Sequence, residues 1–255
     1  MAGKRLLHNR VMGTRVRLCL GSGAFLLGVV LLGCDVSDGT LHDVERESGP
    51  DSFRQSSTSE LFPLPSPGPL VVALGDSLTA GLGLDADEVY PALLEHQLRT
   101  EGYELTVVNA GVSGDTTAAG LRRVEWVLEG DVRVLILALG GNDGLRGLPV
   151  AQMKRNLDDI ISFARDRGVV VLLAGMEAPP NFGAVYTTKF RNAFSELARE
   201  HEVAFLPFLL DGIAGEPTLN QDDQIHPNAE GAALMAEHVH EALVPLLTVF
   251  PAVTR

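Results

Sequence analysis

At 255 residues the chain has room for one domain with an appendage, and 45% hydrophobic with 21% charged residues is a globular rather than a disordered composition. A formal net charge of −13 repels phosphate backbones and argues against a nucleic-acid partner. The two cysteines, Cys19 and Cys34, both precede the globular region, which excludes an internal disulfide or a Cys-ligated metal there.

Residues 1–17 carry Lys4, Arg5, Arg10, Arg15 and Arg17 and no acid, and residues 18–33 carry no charge. A basic segment followed by a short apolar one has the layout of a secretory signal. The apolar stretch is short for a membrane span, which needs ~20 residues. It ends in Leu31-Leu32-Gly33-Cys34, which resembles the bacterial lipobox, so residues 1–33 are expected to be a lipoprotein signal peptide and Cys34 the lipidated residue. An uncleaved anchor and ordinary secretion are the competing readings. All three put the rest of the chain outside the cytoplasm; the first makes it a membrane-anchored lipoprotein of the cell envelope, facing the periplasm or the exterior. Residues 34–69 hold acids, serines and a Pro-rich end without periodicity, and read as a flexible tether. Residues 249–255 are expected to be a tail.

Between them, residues 70–248 alternate strand and helix signals. Strands are expected at 70–74, 104–109, 132–139, 169–174 and, more weakly, 203–207. Their apolar runs are continuous, which fits strands buried on both faces and hence a parallel sheet. Helical patterns fall at 89–100, 117–128, 150–167, 189–201 and 229–247. In the third of these, Met153, Leu157, Ile160, Ile161 and Ala164 share one face. The expected fold class is α/β, a three-layer α/β/α sandwich around a parallel sheet of about five strands. Ligands in such folds bind beyond the carboxyl ends of the strands.

The loops at those ends carry the chemistry. After the first strand comes Gly75-Asp76-Ser77-Leu78, after the second Gly111-Val112-Ser113-Gly114-Asp115, after the third Gly140-Gly141-Asn142-Asp143-Gly144. Asp222-Asp223-Gln224-Ile225-His226-Pro227 precedes the last helix. Acyl transfer at serine needs a nucleophile, a base, an acid that orients the base, and donors for the oxyanion. Ser77, His226 and Asp223 can fill the first three roles. The Ser77 amide, the Gly114 amide and the Asn142 side chain can supply the donors. Pro227 favours an extended backbone at His226 and suits the start of a helix. Each piece alone is an ordinary turn; four such loops in order are specific.

These residues resemble the GDSL, or SGNH, hydrolase superfamily, whose blocks carry Ser, Gly, Asn and His, here Ser77, Gly114, Asn142 and His226. The segments at 107–117, 139–147, 179–186 and 221–228 are similar to its multifunctional thioesterase I / lysophospholipase / arylesterase branch. The resemblance spans about residues 69–248. It implies a flavodoxin-like fold and hydrolysis of carboxylic esters and thioesters of single acyl chains through an acyl-enzyme, with no metal and no cofactor. Ser77, Asp223 and His226 would be catalytic, and Ser77, Gly114 and Asn142 would form the oxyanion hole. The loop at 144–149 would line the acyl groove and the stretch at 178–182 its other wall. Gly144, Leu145, Arg146, Pro179, Asn181 and Phe182 are therefore candidate substrate contacts, together with Asp76 beside the nucleophile. The simpler reading of Asp76, Asp115 and Asp143 is hydrogen bonding to loop N–H groups. Gln224 departs from the Gly common at its position and is expected to narrow the mouth. The lipoprotein leader and tether are a second departure.

His96, His201, His238 and His240 fall on expected helices and read as solvated, and Trp126 as a packing residue. The expected partner is a small-molecule acyl or aryl ester, besides the membrane holding the anchor, and the chain is expected to be a monomer. Two other functions compete: a carbohydrate O-acetylesterase of the envelope, which uses the same machinery, and a non-catalytic binding lipoprotein, which leaves it unused.

Overall fold

The apolar runs form strands because their β-branched side chains pack on both faces of a pleated surface. A computed structural model describes residues 68–248. The expected signal peptide at 1–33, the expected lipidation site Cys34, the expected tether up to residue 67 and the expected tail at 249–255 lie outside the described residues.

In chain order the elements are β1 (Leu70–Gly75), α1 (Ser77–Ala80), α2 (Tyr90–Thr100), β2 (Thr106–Gly111), α3 (Thr117–Val127), β3 (Val132–Ala138), α4 (Gly141–Leu145), α5 (Val150–Asp166), β4 (Val170–Ala174), a 3-10 turn (Pro180–Phe182), α6 (Ala184–Glu200), β5 (Ala204–Leu206) and α7 (Ala229–Leu247). All strand pairs are parallel, in the order β2-β1-β3-β4-β5. The chain runs outward from β1 to β2 and then back past β1 to β3. With right-handed crossovers, that reversal puts the connecting helices on opposite faces of the sheet. Accordingly α2 packs with α7, while α3, α5 and α6 pack side by side.

The core is the interior of the sheet plus one stripe of each helix. Val134, Leu135, Ile136 and Leu137 of β3 are fully buried. The α5 stripe of Met153, Leu157, Ile160, Ile161 and Ala164 is buried as its spacing requires. Truncating one such residue, Leu157→Ala, would cost roughly 2–5 kcal/mol in lost transfer energy and cavity formation.

Three local expectations fail. Helix α6 starts at Ala184, ahead of residue 189. Its first turn, Ala184 to Thr187, is rich in β-branched residues and gives little helical signal. Tertiary packing decides it: Tyr186, Phe190 and Phe194, four residues apart, stack as an aromatic ladder with centroids 6.1 and 5.5 Å apart. Trp126 is 70% exposed, because the buried stripe of α3 runs through Thr117, Gly120, Val124 and Val127 and leaves position 126 outside. Nor are all the helix histidines solvated. His201 pairs with Asp158 at 2.6 Å and His240 lies 2.9 Å from Glu101, both with side chains only 15% exposed.

Candidate active site

The sheet order reverses between β1 and β3, the position where open α/β sheets leave a crevice beyond the strand ends. Register brings the strand ends level there: Gly75 pairs with Gly111 on one side and with Ala138 on the other. The loops bearing Ser77, Gly114 and Asn142 therefore leave one edge together.

Ser77 opens the single turn of α1. Asp76 caps that turn, its carboxylate accepting the Leu78 N–H at 3.1 Å, and Gly81 closes it in the left-handed region. The turn lies directly on the strand ends, since a Cβ at Gly75 would overlap the Thr79 side chain. Arg123 of α3 ties the neighbouring loops down. Its guanidinium donates to the carbonyls of Gly75 at 2.9 Å and Ala110 at 2.7 Å and to the Asp115 carboxylate at 2.7 Å. One planar donor fork thus fixes the roots of the Ser77 and Gly114 loops. Asp143, likewise structural, accepts from the Thr117 N–H and hydroxyl at 2.8 and 2.7 Å.

His226 reaches Ser77 from the far end of the chain. Its Nε2 is 2.9 Å from the Ser77 Oγ and its Nδ1 is 2.6 Å from Asp223 Oδ2. The other carboxylate oxygen of Asp223 accepts the N–H groups of Ile225 at 2.9 Å and His226 at 3.0 Å. The His226 backbone N–H first, then its ring, then the Ile225 N–H hold the Asp223 carboxyl well below the usual carboxylate range. It stays ionised and keeps the Nδ1 proton of the ring, leaving Nε2 free to accept from Ser77. The expected placement of His226 at a helix start is corrected: Asn228 caps α7, and His226 is held by a short antiparallel bridge. The Gln221 N–H donates to the His226 carbonyl at 2.8 Å and the Asn228 N–H to Leu219 at 3.0 Å.

Asn142 sits in the first turn of α4, and its side-chain amide donates to Asp76 Oδ2 at 3.2 Å. An amide nitrogen carries two protons, so one is held by Asp76 and the other is free for a ligand. Burial raises the Asp76 carboxyl from 3.8 to about 6, against the lowering pull of the Leu78 N–H and the Asn142 amide. Gly114 adopts φ 86°, a conformation open to glycine and strained for other residues. Its carbonyl accepts from Arg146 at 2.9 Å.

Ser77, His226, Gly114 and Asn142 all border one cleft of ≈ 700 Å³. Of the expected substrate contacts, Asp76, Leu145 and Pro179 line it. Gly144, Arg146, Asn181 and Phe182 are outside that lining. Gly144 is covered by Phe190, Arg146 donates to Gly114, Phe182 covers Gly147, and Asn181 lies exposed on the 3-10 turn. Gln224 lines the mouth, at φ 58°. Sequence reasoning did not find Leu82, Met176, Phe208 and Leu210, which also line the cleft. The last two come from the irregular segment after β5, which has no periodicity to read. Among the described residues no cluster of three His, Cys, Asp or Glu side chains could hold a metal ion.

Comparison with known proteins identifies the family. The GDSL-like Lipase/Acylhydrolase family profile matches residues 73–234. The chain is 41% identical over 178 residues to Esterase TesA of Pseudomonas aeruginosa, covering 69% of this chain and 89% of that one. It is 35% identical over 178 residues to Thioesterase 1/protease 1/lysophospholipase L1 of Escherichia coli K12, covering 69% and 84%. A crystal structure of TesA superimposes with a TM-score of 0.67 at 42% identity, covering 70% of this chain and 99% of that one. A profile match across most of the described residues, with relatives this similar along nearly their full length, means that the chain belongs to the GDSL-like lipase/acylhydrolase (SGNH) family and is an ester-hydrolysing enzyme.

Proposed function

We propose that this chain is a serine esterase that forms an acyl-enzyme on Ser77 and acts, as a monomer tethered through a lipidated Cys34, on esters of single acyl chains at the cell envelope. One observation carries the reading: hydrogen bonds run unbroken from Asp223 through His226 to the Ser77 Oγ at the wall of an open cleft.

Ser77 Oγ attacks the ester carbonyl carbon while His226 Nε2 takes its proton. The carbonyl oxygen becomes an oxyanion, met by the free Asn142 amide proton and by the Gly114 and Ser77 backbone N–H groups. Asp223 stabilises the imidazolium. Collapse breaks the bond to the leaving oxygen or sulfur, which receives the proton from His226. Water then enters by the same base and releases the acid, regenerating Ser77.

The substrate class follows from the lining and the relatives' names, which include esterase, thioesterase and lysophospholipase. Leu78, Leu82, Leu145, Met176, Phe208 and Leu210 make the cleft chiefly apolar, which suits acyl chains longer than acetyl. The tethering rests on the sequence alone, on the uncharged run at 18–33 ending in Cys34.

A phosphonate or sulfonyl fluoride tests the acyl-enzyme step. The expected result is stoichiometric labelling of Ser77 with loss of activity. Labelling elsewhere, or full activity after Ser77 is labelled, would overturn it.

A further inference from the structure

Six of the large hydrophobic side chains exposed among the described residues, Leu82, Val112, Leu145, Phe182, Val185 and Ile225, follow the carboxyl ends of strands, on the side where the cleft opens. Leu82, Leu145 and Ile225 line the cleft itself, and Val112 adjoins Ser113, which also lines it. The Phe182 ring covers Gly147, two residues beyond Leu145, and lies 5.3 Å from the ring of Tyr186, next to Val185. Three of the six thus lie in the cleft wall and the other three follow lining residues along the chain, Val112 before Ser113 and Phe182 and Val185 after Pro180, and we take them together as one collar. Val185 is 72% exposed, and six such side chains on one side of the molecule leave apolar surface in water.

We propose that this collar docks the mouth of the cleft onto a zwitterionic lipid bilayer, so that single-chain esters pass into the cleft without crossing water. The docking rests on the proposed function in two places, on the esterase for what enters and on the lipidated Cys34 for the surface within reach. Two observations choose the occupant. The chain ahead of the domain contains the uncharged run at 18–33, and residues 35–67 separate Cys34 from the first described residue. That segment can reach up to about 110 Å at ~3.3 Å per residue. Strand β1 starts at the end of the sheet opposite the cleft and is only about 20 Å long at ~3.3 Å per residue. The mouth can thus turn onto the surface that holds Cys34. Charge then selects the lipid: Asp85, Asp87 and Glu88 follow Leu82 in sequence, Asp222 and Asp223 precede Ile225 and Glu177 lines the cleft, against Arg146 beside Leu145 and Arg191 3.6 Å from Glu177, so the net charge is negative and an anionic bilayer repels it where a zwitterionic one does not.

Solved TesA is 99% covered by this domain alone, so the domain is an independent folding unit and can be tested from residue 65 onward, without the lipid. The probes are vesicles of phosphatidylcholine and of phosphatidylglycerol, the variant is Val112→Gln/Val185→Gln, and neither residue lines the cleft. The expected result is co-sedimentation with phosphatidylcholine, weaker binding to phosphatidylglycerol, and a loss of about ten-fold in partitioning for the variant. Its rate on dissolved p-nitrophenyl butyrate should equal the wild type's. Active wild-type protein that stays off phosphatidylcholine would overturn the docking alone. So would a variant that binds equally well, a preference for phosphatidylglycerol, or a dimer closed through the collar. Protein that sediments through the collar but hydrolyses no ester would overturn the esterase reading and leave the docking intact.

Discussion

The Asp76 carboxylate, buried beside Ser77, holds the side-chain amide of Asn142 at 3.2 Å. The residue before the serine therefore aims the Asn142 amide, the proposed oxyanion donor, on the loop after the neighbouring strand β3. In Asp76→Asn a single oxygen is left to accept from both the Leu78 N–H and the Asn142 amide, and the aim is weakened. We expect kcat to fall about 10–100-fold, less than the ~10²–10³ of removing the donor outright in Asn142→Ala, with KM nearly unchanged. Steady-state kinetics on one soluble ester decide it; equal kcat in Asp76→Asn and wild type would refute the aiming role.

The same carboxyl gives a pH signature. Its native value of about 6 lies above its unfolded value of 3.8. Between the two, the native state holds a proton that the unfolded state has released, so stability falls as pH rises through this window. The loss amounts to roughly 3 kcal/mol. Asp76→Asn carries no such titration. Its stability relative to wild type should climb between about pH 4 and about pH 7 in urea titrations, and parallel curves would contradict the burial argument.

Arg123 should matter although it touches no substrate. The three acceptors are met by three separate guanidinium nitrogens, whereas the three donors of a lysine sit on one nitrogen and cannot span them. Arg123→Lys is expected to lower unfolding free energy by roughly 2–4 kcal/mol and kcat by about ten-fold, as the roots of two site loops loosen. Wild-type values in chemical denaturation and in turnover would show that the fork is dispensable.

Gln224 occupies a backbone at φ 58° that costs a non-glycine residue on the order of 1 kcal/mol. Gln224→Gly should raise stability by about that amount and lower KM for bulky acyl esters by opening the mouth. A lower denaturation midpoint in the variant would mean that the side-chain bond to the Gln221 carbonyl, 3.0 Å long, outweighs the strain.

Apart from Asp76, Glu177 is the one acid among the residues lining the cleft, and no Lys or Arg is among them. A polyanionic thioester such as an acyl-coenzyme A gains no counter-charge there. Neutral thioesters of the same acyl chain should be preferred by about ten-fold in kcat/KM at low salt, with the gap narrowing as salt screens the repulsion. A preference for the coenzyme A ester would point to a cationic subsite elsewhere.

Much of this was legible in the residues. Continuous apolar strands and the α5 stripe from Met153 to Ala164 dictated the layers, and Ser77, Asp223 and His226 stood out because serine chemistry needs those groups in ordered loops. The walls of the cleft were harder. Phe208 and Leu210 reach it from an irregular segment that packs against Gly175, a relation set by tertiary contact and not by spacing. Arg146 reads from the sequence equally as a contact for a polar head group or as a cap on its loop, and its guanidinium reaches the Gly114 carbonyl. The role of Arg123 depends on two carbonyls far away in sequence, which no local pattern encodes.

The most direct test measures hydrolysis of p-nitrophenyl esters from acetate to palmitate by the wild type and by Ser77→Ala. The expected result is a rate that peaks at chains longer than acetate and falls to about 1% or less in a folded Ser77→Ala protein. A variant that keeps more than about a tenth of the rate, or a folded wild type that hydrolyses none of the esters, would contradict Ser77 as the nucleophile of an esterase.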